Sequence, residues 1–121
     1  MPAVVRALLK HGADVKAQCK DNQTPLHRAE EEEVARLLLE HGADANARDV
    51  NNATPLHLAS SPKNKFRVGG CLDVVRLLLQ YGSDIHARDD EGQTPFMRAT
   101  AKKHHEIVQL LLEHGAEDHR V

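Results

Sequence analysis

Thr54-Pro55-Leu56-His57 is the clearest pattern in the chain, because the same four positions recur before and after it. An identical copy stands at Thr24-Pro25-Leu26-His27, and a looser one stands at Thr94-Pro95-Phe96-Met97. Threonine is a favoured helix N-cap, and proline is favoured at the first helical position, where its missing N–H leaves no hydrogen bond unmade. Each copy therefore predicts the start of a short helix.

A second motif, an apolar block followed by glycine and usually an acidic residue, accompanies these copies. Its glycines are spaced 30, 40 and 33 residues apart, at Gly12, Gly42, Gly82 and Gly115. The block predicts a second helix that is covered on more than one side, and the glycine predicts its left-handed stop. The segment that follows, as in 43–49, is typical of an extended turn. That turn ends at Asn22, Asn52 or Gly92, which tolerate positive φ.

The repeating unit is thus a helix, a turn, a second helix and a β-turn finger. One such unit cannot bury its own apolar face, so neighbouring units must stack. We expect an all-α solenoid of stacked helix-turn-helix units that fills residues 1–121. The expected divisions are a partial repeat at 1–20, a repeat at 21–50, a repeat at 51–90 with an inserted loop at 62–70, and a C-terminal repeat at 91–121.

The repeated residues resemble the ankyrin repeat family. The unit that begins at Asp89 keeps the family's register best, with Glu106-Ile107-Val108 and Leu110-Leu111-Leu112 at the expected places. The resemblance covers almost the whole chain, and it implies a protein–protein interaction module without catalytic activity. In the family, partners are held by the fingertips together with the concave surface of the first helices.

Carried over position by position, that surface comprises residues from three fingertips and from the first helices. The fingertip positions are Lys20, Asp21, Gln23, Val50, Asn51, Ala53, Asp90, Glu91 and Gln93. The matching first-helix positions are Glu30 and Glu31, Ser61 and Pro62, and Ala101 and Lys102. The fingertips become more acidic toward Asp89-Asp90-Glu91, which favours a protein partner with a basic patch at that end.

The composition and charge of the chain argue against several other classes of partner. The net charge of −2 favours neither nucleic acid nor an anionic membrane as a partner. No apolar stretch is long enough to span a bilayer. Cys19 and Cys71 stand alone in sequence, which is typical of reduced thiols in an intracellular protein, cytoplasmic or nuclear. We expect a monomer with no cofactor, no metal and no small-molecule substrate.

Nine histidines raise the question of a metal site. The resemblance gives His27 and His57 a structural role instead, bridging a helix to the neighbouring turn. His11, His41 and His114 precede helix-stopping glycines, where a side chain can satisfy the last carbonyls. No cysteine joins the histidines at ligand spacing, and no nucleophile or phosphate-binding motif is present. These observations argue against an enzyme.

The first departure from the repeat pattern is that the sequence starts halfway through a unit. Residues 3–10 predict a second helix with no first helix before it, which leaves Val4 and Leu8 without their usual cover. Three explanations stay open: a piece of a longer array, an apolar end that docks on another molecule, or a frayed end that is tolerated. If the chain is a piece of a longer array, an alternative function stays open: it would be the regulatory or targeting segment of a larger enzyme, such as a kinase or a ubiquitin-ligase adaptor.

The two connections between first and second helices also differ in length. The unit from Thr24 is three residues short, and Glu30-Glu31-Glu32-Glu33 replaces the expected turn, which predicts carboxylates at an unfavourable helix C-terminus. In the unit from Thr54 the same connection is seven residues longer than the repeat pattern allows, and its loop contains Lys63, Lys65, Phe66 and Arg67. We expect the acidic and basic segments to face each other. Charge neutralisation, partner contact by the loop and a misplaced gene boundary all remain possible explanations.

Overall fold

The computed structural model describes Ala7, Lys10, Gly12 and Gln18, together with residues 21–29, 31–61 and 72–115. In chain order the elements are a 3-10 helix at Pro25–Arg28, α1 at Glu32–Glu40, α2 at Pro55–Ser60, α3 at Leu72–Gln80, α4 at Pro95–Ala101 and α5 at His105–Glu113. These described residues form helices and turns and contain no strand. The predicted all-α class is confirmed.

The three threonines begin the first helices as the sequence predicts. Each has an extended backbone, with ψ of 166° at Thr24 and Thr54 and 165° at Thr94, and proline follows at the first helical position. The second helices end at glycines in the left-handed region, with φ of 92° at Gly42 and 88° at Gly82. Local sequence therefore sets both ends of the repeating unit.

The helices stack in two layers. The Pro25–Arg28 helix, α2 and α4 form one layer in which each packs on the next, and α1, α3 and α5 form the other. Leucine, valine and alanine fill the space between the layers, and Phe96 is buried there while Tyr81 is exposed. Leu56, Leu78 and Leu111 are fully buried. Burying each such side chain stabilises the fold by about 1.5–3 kcal/mol relative to leaving it exposed.

The described glutamates of the acidic segment, at 31–33, lie at a helix N-terminus, and the expectation of an unfavourable C-terminal position is wrong for them. The first helix of that unit ends at Arg28, and Glu31 is the N-cap of α1. Glu32 and Glu33 occupy the first turn of α1, where carboxylates interact favourably with the helix dipole. The three missing residues shorten the first helix to a single 3-10 turn, and this brings the glutamates to the start of the second.

Some of the sequence expectations concern residues outside the described ranges. The loop at 62–70 and Glu30 are such residues, so the facing of the acidic and basic segments stays a prediction. The expected uncovered helix at 3–10 is described only at Ala7 and Lys10. The repeat divisions at 20, 50 and 90 also remain a prediction.

Candidate fingertip interface

The described fingers, residues 43–53 and 83–93, are shaped by one buried aspartate each. The Oδ1 atom of Asp49 accepts hydrogen bonds from the N–H groups of Asn51 and Ala53, at 2.8 and 3.0 Å. Asp89 accepts from Glu91 and Gln93 at 2.9 Å each. The turn closes through positive φ, 62° at Asn52 and 76° at Gly92. Hydrogen bonds within each finger therefore fix the shape of its tip.

Backbone hydrogen bonds join successive fingertips into one row. The N–H of Val50 donates to the carbonyl of Asp21 at 2.9 Å, and the N–H of Asp90 donates to the carbonyl of Asn51 at 3.0 Å. Side chains on neighbouring tips therefore have fixed spacings. We call Asp21, Gln23, Val50, Asn51, Asp90, Glu91 and Gln93 the fingertip row.

A buried histidine ties each of two first helices to the next fingertip. The Nδ1 atom of His57 accepts from the N–H of Thr54 at 3.0 Å, and its Nε2 atom contacts the carbonyl of Gln93 at 2.8 Å. His27 makes the same pair of contacts, with Thr24 and with the carbonyl of Ala53, at 3.0 Å each. The structural role that the resemblance gave to both histidines is confirmed.

Most of the predicted fingertip residues are at the surface. Asp21, Asn51, Asp90 and Glu91 are exposed, Gln23 and Gln93 are half-buried, and Val50 has 55% of its surface exposed. Ala53 is fully buried, and its carbonyl receives His27. Its inclusion among the contact residues is therefore corrected, because its side chain has no surface to offer. Lys20 lies outside the described residues.

The first-helix positions are brought to the surface only in part. Ala101 ends α4 and Lys102 is its C-cap, and both are exposed. Glu31 caps the second helix of its unit, so its assignment to a first helix is wrong. Ser61 is the half-buried C-cap of α2, where its hydroxyl donates to the carbonyl of His57 at 3.0 Å. Pro62 lies outside the described residues.

The Asp89 carboxylate belongs to the interior of its finger and is not part of the acidic tip. Its Oδ2 atom accepts from Nε and Nη2 of Arg98, at 2.9 and 2.6 Å, and the residue is only 7% exposed. Burial opposes ionisation, but the N–H groups of Gln93 and Glu91 and the Arg98 guanidinium outweigh it and lower the pKa of Asp89. The negative charge presented by this tip therefore comes from Asp90 and Glu91.

Two arginines beside the fingertips were not anticipated. Nη1 of Arg48 donates to the carbonyls of Asn52 and Arg88, at 3.0 and 2.8 Å. Nη1 of Arg88 donates to the carbonyl of Gly92 at 3.1 Å. Both side chains are exposed along the flank of the row. The recurrence of Ala-Arg-Asp at 47–49 and 87–89 could have predicted that these arginines lie side by side, because equivalent positions in stacked units become neighbours.

The caps expected of the histidines before the glycines are confirmed where the structure describes them. Nδ1 of His41 contacts the carbonyl of Leu37 at 2.8 Å, and Nδ1 of His114 contacts that of Leu110 at 2.9 Å. His11 lies outside the described residues. Tyr81 holds the equivalent place in the middle unit, where the residue is 44% exposed.

A small cleft of about 90 Å³ lies between α1 and α3. Its walls carry both signs of charge, from Glu32 and Asp73 and from Arg36 and Arg76. Arg36 pairs with Glu32 across one helical turn. Within the described ranges, no group of three or more His, Cys, Asp or Glu side chains is placed to hold a metal ion. Across the same ranges, none of the helices combines the length and apolarity needed to cross a membrane.

Comparison with known families agrees with this architecture. The family model described as ankyrin repeats, in three copies, matches residues 1–89 and 50–120. No curated protein matches the chain significantly. The matched segments together span nearly the whole sequence, and the capped helices, glycine stops and fingers lie within them. The chain belongs to the ankyrin repeat family.

Proposed function

We propose that this chain binds a protein partner through the fingertip row together with Ala101 and Lys102. Ankyrin repeats are generally protein–protein interaction modules. The observation that carries the proposal here is the row itself, whose exposed side chains stand on fingertips joined by backbone hydrogen bonds from Asp21 to Val50 and from Asn51 to Asp90. A surface held in place before binding loses less conformational entropy when a partner docks.

The charge of the row favours a partner with a basic patch near its C-terminal end. Asp90 and Glu91 are exposed, whereas Asp89 is neutralised inside the finger by Arg98. The arginine flank makes the complementary contact more specific, because Arg48 and Arg88 place positive charge beside the tips. Such rim charges mainly set partner choice and the rate of association.

Val50 gives the middle of the row an apolar contact. It is more than half exposed, and its neighbour Asn51 is uncharged. We expect the partner to cover Val50 with an apolar side chain while its basic groups meet Asp90 and Glu91. The family is a non-catalytic interaction domain, and we propose that this chain likewise has no catalytic role. Its lone cysteines support an intracellular site of action with both thiols reduced, and we propose that the chain is a monomer.

The test is affinity capture from a cell extract with two charge-matched double variants. Asp90→Lys with Glu91→Lys reverses the fingertip charge. Glu40→Lys with Glu113→Lys makes the same charge change at exposed ends of α1 and α5, in the other layer of helices. We expect the fingertip variant to lose at least about tenfold in recovery of the captured protein, and the control to retain it.

A second arm measures stability, because both variants must remain folded at the temperature of capture. Lysine at the last position of a helix interacts favourably with its dipole, so the control variant should be at least as stable as the parent chain. Equal recovery by the two variants would place the interface away from the fingertips. Equal loss by both would indicate capture through net charge alone.

A further inference from the structure

His57 has both ring nitrogens committed within the contact between two repeats. The backbone N–H of Thr54 can only donate, so Nδ1 must accept and carries no proton. The proton is therefore on Nε2, which donates to the carbonyl of Gln93 at 2.8 Å. Because the residue is fully buried, this neutral form is the one that the folded array accommodates.

A second proton on this ring would meet unfavourable surroundings. On Nδ1 it would point at the N–H of Thr54, and only the Thr54 hydroxyl, 2.9 Å away, offers an oxygen nearby. The charged ring would also be cut off from water, which costs free energy unless the charge is paired. The charged imidazolium therefore has a lower free energy in water, outside the contact, than buried within it.

The charges around His57 come from both fingers and from α4. Arg98 and Arg48 disfavour a positive ring, and Asp89 favours it. On the other packed elements, Asp73 and Arg76 of α3 and Arg28 of the 3-10 helix are exposed, and His27 is buried in its own contact. Burial dominates these effects and lowers the pKa of His57, outweighing the stabilising carbonyl of Gln93.

We propose that acidification opens the contact between α2 and the fingertip at Asp89–Gln93, because protonated His57 leaves its buried site. The opening removes the N-cap contact of α2 and the tether to the Gln93 carbonyl together, since one ring supplies both. The fingertip row is then free to move at that position. The fold thereby contains an acid-sensitive joint between its second and third described units. This inference concerns the free chain and holds whether or not the fingertips bind a partner.

The direction with pH follows from the lowered pKa. The unfolded or opened state binds a proton at the ordinary histidine pKa of 6.5, whereas the closed state binds it only at lower pH. Closure is therefore fully favoured above pH 6.5 and is progressively lost as pH falls below that value. Between the two pKa values, uptake of one proton changes the opening equilibrium by about tenfold per pH unit.

The test is NMR on the intact chain between pH 7.5 and pH 5. The histidine ring nitrogens should report the Nε2–H form of His57 at pH 7.5. The hydrogen-exchange protection factor of the Thr54 amide should fall by about tenfold per pH unit below pH 6.5. The amides of Glu91 and Gln93, which bond to Asp89 within the fingertip, should keep their protection, as should Leu111 in the core of α5.

Three results would overturn the proposal. They are an Nδ1–H form of His57 at pH 7.5, an unchanged Thr54 protection factor while His57 titrates, and a parallel loss at Leu111, which would indicate global unfolding. His104, whose pKa is lowered by burial and by Lys102, titrates in the same direction. A His104→Gln variant should therefore retain the Thr54 response. A His57→Gln variant should lose the pH dependence, and dependence that survives in it would also contradict the proposal.

Discussion

The unit that begins at Thr54 and the unit that begins at Thr94 build the same repeat with different contacts. The first depends on His57, which bridges to Gln93, and has Leu58 where the second has Arg98. The second has Met97 at the histidine position and instead pairs Arg98 with Asp89 inside its own finger. In both units a side chain of the first helix is bonded to a finger. In the first it is an imidazole that reaches the finger of the next unit, and in the second it is an ion pair with the finger of the same unit.

The largest expected difference between the units is at the fourth position of the motif. His57→Leu removes the partner of the buried Thr54 N–H and one partner of the part-buried Gln93 carbonyl. We expect it to lower the free energy of unfolding by about 2–4 kcal/mol. The matched change Met97→Leu conserves volume at a half-buried site and should cost under about 1.5 kcal/mol. Urea unfolding of both variants at pH 7.5 checks this, and similar costs at the two sites would contradict the comparison.

The next largest difference in stability should come from the equivalent aspartates of the two units, Asp49 and Asp89. Asp89→Asn leaves the turn amides an acceptor but removes the charge that holds Arg98, whereas the Oδ2 atom of Asp49 accepts from the neutral amide of Gln23 at 3.3 Å. We expect a loss of about 1–2 kcal/mol for Asp89→Asn and less than about 1 kcal/mol for Asp49→Asn at pH 7. Chemical denaturation of both variants supplies the measurement.

The pH dependence of this pair has a definite sign. Because the pKa of Asp89 is lowered from 3.8, its contribution to stability is present above pH 3.8 and is lost as pH falls through the folded-state value. Between pH 5 and pH 3 the parent chain should therefore lose more stability than Asp89→Asn. A parallel loss in the two chains would show that the ion pair contributes nothing.

A buried hydroxyl distinguishes the ends of the two first helices. Ser60 is fully buried, and its Oγ has no hydrogen-bond partner among the described residues, whereas Oγ1 of the equivalent Thr100 donates to the carbonyl of Phe96 at 2.9 Å. Ser60→Ala should therefore raise the free energy of unfolding by about 1 kcal/mol, because it removes an unsatisfied polar group. Thr100→Ala should change it by less than about 0.5 kcal/mol in either direction. A loss of stability in Ser60→Ala would reveal a partner for the hydroxyl.

Much of this architecture is readable from the sequence, and the failures have local causes. Thr-Pro at a helix start and glycine at a helix stop act through their own backbone, so Thr54 and Gly82 were placed correctly. The three-residue deletion could remove part of either helix or only the turn, and the one-dimensional pattern does not tell which. That is why Glu31 was assigned to the wrong helix.

The candidate surface was harder to predict for a related reason. Gln23, Ala53 and Gln93 share one register, yet the small Ala53 is covered while the longer amides reach solvent. Asp89 and Asp90 look alike in sequence, and it is the hydrogen bonds of Asp89 to the turn amides and to Arg98 that show it to be internal. Exposure at equivalent positions is thus decided by side-chain length and by partners distant in sequence.

The smallest expected effect is at the end of the second helix, where the unit from Thr54 ends in Tyr81-Gly82 and the unit from Thr94 ends in His114-Gly115. The imidazole of His114 bonds the carbonyl of Leu110, and His41 does the same for Leu37, but the Tyr81 side chain has no nitrogen to donate. Tyr81→His should therefore add one hydrogen bond to the end of α3 and raise stability by about 0.5 kcal/mol. Because a charged imidazole also interacts favourably with a helix C-terminus, the gain should be at least as large at pH 6 as at pH 8. Thermal unfolding at both pH values checks the effect, with His114→Tyr as the reciprocal change. A loss of stability in Tyr81→His at both values would show that the exposed tyrosine ring makes a contact in the folded array that outweighs the cap.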